Sequence, residues 1–235
     1  MKILAIDTTA KTAAGAICKD GKTLSSFQIT GGFTHSETMM PQIDILFKKT
    51  GLTADDIDMF AISEGPGSFT GVRIGAALIK GLAFGKNKPC VGVSSLEALC
   101  ENSTVLSGDF IVCAVMDARR SQLYNAIFSV KNGKTERLCD DRLISAEALA
   151  DALKEFDKPI YFFGDGYSIA KAAFPSAVET PADAILQNAS SVAAAALKKY
   201  NHTQDKSIFT DITLSPAYLR ASQAEREYNE KEKNK

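Results

Sequence analysis

The stretch that decides the fold is residues 64–75, whose sequence is Glu-Gly-Pro-Gly-Ser-Phe-Thr-Gly-Val-Arg-Ile-Gly. An apolar run at residues 59–62 precedes it and predicts a strand, and residues 72–84 predict a helix. The stretch is therefore a glycine-rich turn from a strand into a helix. Such a turn brings free backbone N–H groups and the positive end of a helix dipole together, so it can bind an anion.

Two familiar phosphate-binding motifs do not fit the glycine-rich turn. A P-loop has Gly-Lys-Ser/Thr where the helix starts, whereas this chain has Gly71, Val72 and Arg73. A dinucleotide-binding fingerprint has the spacing G-x-G-x-x-G, but the glycines here lie at positions 65, 67 and 71. The turn either binds an anion in another way or packs tightly against a neighbouring element without a ligand. The pattern favours the second interpretation, because short glycine motifs often occur by chance.

The composition indicates an ordinary globular protein. The chain has 235 residues, of which 45% are hydrophobic and 23% are charged, and this length suits one large domain or two of about 100 residues. A formal net charge of -1 and a pI near 6.2 disfavour a standing nucleic-acid-binding surface. The sequence shows neither a signal-peptide pattern nor an apolar run of about 18 residues, so no membrane association is expected. Five cysteines without a C-x-x-C pair suit a reducing cytoplasm.

The hydrophobic periodicity predicts a mixed α/β fold in two units, residues 1–105 and residues 106–220, with a polar tail at 221–235. The tail is expected to be a frayed helix or disordered, and the end of the second unit could pack back on the first. Both units open with a strand that ends in an aspartate, at Asp7 and Asp117, as in a duplicated α/β unit. The predicted strands are 1–6, 13–18, 23–28, 59–62, 89–93, 110–116, 122–130, 135–138 and 159–163. The predicted helices are 37–49, 72–84, 95–99, 145–156, 169–174 and 189–200.

Residues at the ends of several predicted strands could hold a nucleotide. Ligands gather beyond the carboxyl ends of strands, where Asp7 could hold a hydrated Mg²⁺ and the hydroxyls of Thr8 and Thr9 could meet a phosphate. These residues could equally form only the turn, since their side chains often bond to local backbone. Asp117 is open to the same two interpretations, a ligand-binding residue or part of a turn. Residues 164–166 could contact an adenosine or form an ordinary turn. The candidate nucleotide-binding residues are therefore Asp7, Thr8, Thr9, Asp117, Gly164 and Gly166.

The sequence offers little material for a catalytic or metal site. The two histidines, His35 and His202, form no H-x-x-x-H pair, so neither a histidine metal site nor a Ser/Cys–His pair is predicted. Arg73, one turn into the helix after the glycine-rich turn, could reach an anion or an acidic partner, or simply be solvated. We therefore predict no catalytic and no metal-binding residues.

Five segments of the sequence form a set that is typical of one family. They are ILAIDTT at 3–9, HSETMMP at 35–41, GPGSFTGVRIG at 65–75, GVSSL at 92–96 and PAYLR at 216–220. The set resembles the TsaB (YeaZ) family of bacterial tRNA threonylcarbamoyladenosine biosynthesis proteins. The resemblance extends over the chain to the end of the last segment.

The resemblance implies both a fold and a role. The implied fold is the actin/Hsp70/sugar-kinase (ASKHA) type, with two ribonuclease-H-like subdomains and a cleft between them. Family members partner a catalytic paralogue, TsaD, and an ATPase, TsaE; the complex transfers a threonylcarbamoyl group from threonylcarbamoyl-AMP to the adenosine 3′ of the anticodon in tRNAs that read A-starting codons. The chain is thus expected to be a cytoplasmic, non-catalytic subunit that activates the paralogue, meets tRNA through the complex and self-dimerises alone.

The resemblance also bears on particular residues. The paralogue holds its metal with two histidines four residues apart, which align with Ser95 and Leu99; neither residue can replace a histidine ligand. Residues 7–9 match the family's phosphate turn and residues 164–166 match its adenosine turn only loosely, so ATP or ADP binding is expected to be weak or absent. The alternative function is an independent ATP-dependent transferase or kinase of the same fold, and the missing ligands oppose a metallopeptidase.

The resemblance places the two helices of the first unit at the interface with the paralogue, or at a self-dimer interface in its absence. Both helices, 37–47 and 72–84, have apolar residues on more than one face, which fits either burial or contact with a partner. Under this hypothesis Gly71 and Gly75 let another helix approach closely, and the main role of the glycine-rich turn is to connect the preceding strand to an interface helix. The exposed contact residues are expected to be Met39, Met40, Ile43, Phe47, Arg73, Ile74 and Ala77.

Overall fold

Two five-stranded mixed sheets organise the part of the chain that the structure, a computed structural model, describes: residues 1–31 and 34–220. The first sheet contains β1 (Lys2–Asp7), β2 (Thr12–Lys19), β3 (Lys22–Thr30), β4 (Met59–Gly65) and β5 (Cys90–Ser94), in the order β3-β2-β1-β4-β5. The second contains β6 (Phe110–Asp117), β7 (Gln122–Lys131), β8 (Lys134–Arg137), β9 (Arg142–Ser145) and β10 (Ile160–Phe163). Its order is β10-β6-β7-β8, and β9 pairs with the first part of β7.

The helices cover both sheets. They are α1 (His35–Thr50), α2 (Phe69–Ala83), α3 (Ser95–Glu101), α4 (Ala146–Leu153), α5 (Tyr167–Ala173) and α6 (Ala189–His202). Within the described residues, no helix combines the length and the apolar character that crossing a membrane requires.

Strand β1 lies at the centre of the first sheet and is covered on both faces. Because successive side chains of a strand point to opposite faces, Ile3 and Ala5 enter one core and Leu4 and Ile6 enter another. The first core is closed by α6 and the second by α1 and α2. This double burial explains why β1 is an almost continuous apolar run rather than an alternating one.

The second sheet is also covered on both faces. Val112 and Ala114 of β6 pack against Leu99 of α3, whereas Ile111 and Cys113 face α4 and α5. Helix α6 follows this sheet in the chain but packs against the first sheet, where it contacts β1, β2, β4 and β5. The two sheets with their helices are therefore not two contiguous pieces of chain. The predicted division at residue 105 stays a prediction, and the predicted tail at 221–235 lies outside the described residues.

The order of elements predicted from the sequence is confirmed, with differences at several boundaries. Helix α2 begins at Phe69, three residues earlier than predicted, because the Ser68 side chain caps it by accepting a hydrogen bond from the Gly71 amide at 3.2 Å. Helix α1 ends at Thr50, one residue after the predicted end, and Gly51 ends it, as predicted, with a left-handed φ of 66°. Helix α4 ends three residues before the predicted bound. The short, half-buried strand β9 carries no clear alternating pattern and is not predicted.

The expected exposure of Met39 and Ile43 is wrong. Both side chains are fully buried, because α1 turns them towards the first sheet together with Leu46, three and four residues apart on one helix face. Met40 and Phe47 are seven residues apart and lie on one side of the helix, beside the buried face. Met40 is 44% exposed there and Phe47 is half-buried. A charge introduced at Ile43 would therefore disrupt the core and could not test an interface.

Helix α2 agrees better with the expected exposure. Arg73 and Ala77 are exposed and Ile74 is half-buried, whereas Val72, Ala76 and Ile79 face the sheet. The residues available for a partner are thus reduced from seven to five. They are Met40, Phe47, Arg73, Ile74 and Ala77.

Candidate functional site

A cleft of about 820 Å³ lies between the residues that follow β1 and β4 on one side and those that follow β6 and β10 on the other. The first side contributes residues 9–11 and 67–71, and the second contributes residues 117–120 and Asp165. Open α/β sheets bind their ligands beyond the carboxyl ends of the strands, so this cleft is the candidate site.

Asp7 does not line the cleft but stabilises the turn after β1 from inside. One carboxylate oxygen accepts hydrogen bonds from the amide and the hydroxyl of Thr9, at 2.8 and 2.6 Å, and the other accepts one from the Ser63 hydroxyl at 2.6 Å. Burial raises the pKa of Asp7, and these hydrogen bonds oppose that effect. Because both oxygens already have donors, the carboxylate is a structural centre and is poorly placed to hold a hydrated cation.

The glycine-rich turn packs directly on the turn after β1. The Ser68 amide donates to the Thr9 carbonyl at 2.6 Å, and the Thr8 hydroxyl donates to the Gly71 carbonyl at 2.8 Å. A Cβ atom at Gly71 would overlap the Thr8 carbonyl oxygen, and one at Gly75 would overlap the Thr8 hydroxyl. The expectation that Gly71 and Gly75 let another helix approach is therefore wrong, because the turn after β1 packs against these two glycines. The interpretation favoured by the pattern, tight packing against a neighbouring element, is confirmed.

The second side of the cleft is acidic at its base. The Asp117 carboxylate accepts a hydrogen bond from the Arg119 amide at 2.8 Å, and the Asp165 carboxylate accepts one from the Asp117 amide at 3.1 Å. Burial raises the pKa of Asp165. Cβ atoms at Gly164 and Gly166 would collide with β6 or β7 residues, so these glycines serve close packing and do not line the cleft. Of the six candidate nucleotide residues, the structure thus brings Thr9 and Asp117 to the cleft, and the sequence interpretation missed Asp165.

Four cationic side chains also line the cleft: Lys11, Arg119, Arg120 and Arg220. Within residues 1–31 and 34–220, none of the four takes part in a salt bridge. With four cations and two carboxylates in its lining, the cleft can attract an anion. The sequence interpretation missed this set, because only the adjacent pair after β6 is visible as a pattern.

The two histidines lie in different parts of the described structure. His35 lies at the cleft with its Nε2 atom 2.8 Å from the Ala10 carbonyl, and His202 contacts the Lys198 carbonyl on α6. The described residues contain no group of three or more His, Cys, Asp or Glu side chains that could hold a metal ion. The cationic lining of the cleft can attract an anion.

Arg73 is exposed but held in place by two aromatic rings. Its guanidinium carbon lies 4.2 Å from the centre of the Phe69 ring, which stacks on the Tyr218 ring at a centroid distance of 4.2 Å. Its Nε atom donates a hydrogen bond to the Tyr218 hydroxyl at 2.9 Å. Stacking and the cation–π contact restrict the side chain.

The two helix-covered mixed sheets with a cleft at their strand ends define a protein of the ASKHA class. The structure of YeaZ from Pseudomonas aeruginosa matches with a TM-score of 0.79 at 24% identity, covering 93% of this chain and 99% of that one. An activator of 2-hydroxyisocaproyl-CoA dehydratase from Clostridium difficile matches with a TM-score of 0.50 at 11% identity, covering 86% and 95%. These likenesses support the fold.

The sequence comparisons specify the family. A family model described as TsaD, tRNA N6-adenosine threonylcarbamoyltransferase, matches residues 31–228. The tRNA threonylcarbamoyladenosine biosynthesis protein TsaB of Bacillus subtilis is 31% identical over 99% of this chain and 100% of its own length. The TsaB protein of Escherichia coli is 36% identical over 53% of both chains. The chain belongs to the TsaB (YeaZ) family, as its motifs predict.

The tight contact between the two turns predicts opposite effects for two glycines of α2. Gly71→Ala should lower the free energy of unfolding by about 1–3 kcal/mol, since the added methyl group overlaps a backbone oxygen. Gly81→Ala, the matched control on the same helix, has no atom within 4 Å of the added carbon and should raise it by about 0.5–1 kcal/mol. Urea unfolding followed by circular dichroism measures both. Equal effects of the two substitutions would contradict the described contact.

The burial of Asp7 predicts a pH dependence. Its pKa is raised in the folded state, so folding favours the protonated form. The wild-type free energy of unfolding should therefore fall as the pH rises from the ordinary aspartate pKa of 3.8 through the folded pKa. Asp7→Asn lacks this titration, so its stability relative to wild type should increase over that window. Urea unfolding from about pH 4 to about pH 7 measures the difference. Asp157→Asn, at an exposed aspartate, is the control, and a difference for Asp7→Asn that falls with pH would refute the prediction.

Proposed function

We propose that this chain is a non-catalytic subunit that binds and activates a TsaD-type threonylcarbamoyl transferase. The complex forms N6-threonylcarbamoyladenosine next to the anticodon of tRNAs that read A-starting codons. Membership of the TsaB family supports this role, because the relatives from Bacillus subtilis and Escherichia coli are named for threonylcarbamoyladenosine biosynthesis. The match to the TsaD family model supports a fold shared with the catalytic partner.

One observation carries the proposal: the positions that align with the paralogue's metal-binding histidines are part of the core. Ser95 is 0% exposed and Leu99 is 1% exposed. Leu99 packs between α3 and the second sheet, and neither side chain lines the cleft. A serine hydroxyl is a poor metal ligand and leucine is none. The chain keeps the fold of the transferase without the donors that hold its metal, as an activating subunit would.

The outer faces of α1 and α2 supply the proposed partner surface. The two helices contact each other on the same face of the first sheet, so their outer residues are neighbours. Met40 and Ala77 are exposed there, and Arg73 is fixed on its aromatic support. An arginine and aromatic rings that are ordered in advance are typical of the energetic centre of an interface, because little conformational entropy is lost on binding.

The same surface is our proposal for a self-dimer when the paralogue is absent. A TsaE-type ATPase is a further proposed partner, and contact with tRNA occurs through the complex. We place the protein in the cytoplasm, and its five free cysteines, four of them buried, suit a reducing compartment. The proposed division of labour leaves this chain without catalytic residues.

The alternative function is an independent ATP-dependent transferase or kinase of the same fold. The four cations of the cleft favour it, since they could attract phosphate groups. The position of Asp7 disfavours it, because both carboxylate oxygens already accept hydrogen bonds inside the turn. Our proposal therefore includes at most weak binding of ATP or ADP.

Ala77→Glu should prevent binding to the purified TsaD-type paralogue. Ala77 is exposed on α2, so the fold tolerates the change, whereas a carboxylate inside the interface would be desolvated without a partner. On a size-exclusion column at micromolar concentrations, the wild-type chain should co-elute with the paralogue and the variant should elute apart, with an affinity reduced about tenfold or more.

Ala172→Glu is the matched control, because it makes the same change at an exposed alanine of α5 in the second sheet's layer. This control should still co-elute with the paralogue. Failure of the wild-type chain to co-elute would refute the proposed role. Equal binding by both variants would instead refute the proposed surface.

A further inference from the structure

The last described segment, residues 209–220, runs along the first sheet towards the cleft. Near its start, the Phe209 carbonyl accepts a hydrogen bond at 3.2 Å from the first amide of β5. Leu214 is buried in the core that α1 and α2 share. The Ala217 amide then donates to the Glu64 carbonyl at 2.7 Å. The segment is thus attached to the first sheet at three points.

Tyr218 provides a fourth attachment, beside the glycine-rich turn. Its ring stacks on Phe69 with an interplanar angle of 19°, and its hydroxyl accepts the hydrogen bond from Arg73. Gly65 adopts a φ of 125°, and a Cβ atom there would overlap the Ala217 carbonyl oxygen. The segment therefore lies directly on the turn that launches α2.

Arg220 connects this segment to the other side of the cleft. Its Nη1 atom donates a hydrogen bond to the Ala118 carbonyl at 3.1 Å. Ala118 opens the hairpin between β6 and β7, in which Arg119, Arg120 and Ser121 have φ angles of 67°, 55° and 54°. Residues with a side chain rarely adopt this left-handed conformation because of steric repulsion. Two backbone hydrogen bonds inside the hairpin, from the Ala118 amide to the Gln122 carbonyl at 3.0 Å and from the Gln122 amide to the Arg119 carbonyl at 3.1 Å, hold it from within. The hydrogen bond from Arg220 adds a contact from outside.

We infer that residues 209–220 form a strap across the cleft, and that the hydrogen bond from Arg220 to Ala118 is its latch. The latched hairpin carries Arg119 and Arg120 into the lining of the cleft, together with Lys11 from the first side. The strap therefore sets how far the two sides of the cleft stand apart. It lies within one chain and needs no partner, so it can be tested independently of the proposed function.

Hydrogen–deuterium exchange of the whole isolated chain tests the strap. Arg220→Gln removes the guanidinium donor, so the amides of residues 117–122 should exchange about five- to tenfold faster than in wild type. Tyr218→Ala leaves the latch residue intact but removes the aromatic attachment, and it should speed exchange of the same hairpin about two- to fivefold. Among the described residues Tyr218 has no hydrogen bond to the hairpin, so this second effect separates a strap from a local hydrogen bond.

Lys11→Gln is the matched control, since it removes a positive charge from the same cleft without breaking a described hydrogen bond to the hairpin. Exchange of the hairpin should then stay within about twofold of wild type. Strand β1 reports on global unfolding and should be unchanged in every variant. If Tyr218→Ala also loosens β1, Tyr218→Phe takes its place, because it removes only the hydroxyl that Arg73 binds, and it should give a smaller acceleration.

Two outcomes overturn the inference. The first is an unchanged exchange rate of the hairpin amides in Arg220→Gln, which would show that the latch does not stabilise the hairpin. The second is acceleration in Arg220→Gln without any in the Tyr218 variant that keeps β1 intact, which would reduce the latch to a local hydrogen bond.

Discussion

The rest of the structure depends on the contact between two turns, one after β1 and one after β4. The hydrogen bonds from Ser68 to Thr9 and from Thr8 to Gly71 join them at 2.6 and 2.8 Å, deep in the first sheet's side of the cleft. This contact requires a glycine at position 71 and fixes the direction in which α2 leaves the turn. The outer surface of α1 and α2, the aromatic support of Arg73 and the path of the last described segment all follow from that direction.

The same contact determines which polar groups remain at the cleft. The polar groups at the end of β1 are used within the turn, where the Asp7 carboxylate accepts three hydrogen bonds and is withdrawn from solvent. The cleft is then lined by four cationic side chains and by two carboxylates, those of Asp117 and Asp165, which already accept hydrogen bonds. Such a lining attracts anions. The chain thus has the architecture of the ASKHA class, with the turn after β1 packed against the glycine-rich turn.

The sequence predicts the sheets better than it predicts the surfaces. Strands such as β1 are long apolar runs because both faces are covered, and the glycine-rich turn suggests tight packing by its composition alone. Gly71 of this turn, however, packs against Thr8, which is 63 residues away in the sequence. Only the assembled sheet brings these two residues together. Met39 and Met40 are adjacent and equally apolar, so the pattern cannot say which one faces the sheet. The cations of the cleft come from distant parts of the chain, and no local pattern groups them.

Threonylcarbamoyl transfer to tRNA, measured with the purified TsaD-type and TsaE-type partners, tests most directly whether this chain supplies a surface rather than catalytic groups. The Asp7→Asn chain should support turnover within about twofold of wild type, because Asp7 accepts hydrogen bonds inside the turn and does not line the cleft. This chain without its partners should show no turnover. A loss of roughly a hundredfold or more with an Asp7→Asn chain that still folds and co-elutes with the paralogue would contradict this assignment, since that is the size of effect expected for a catalytic group.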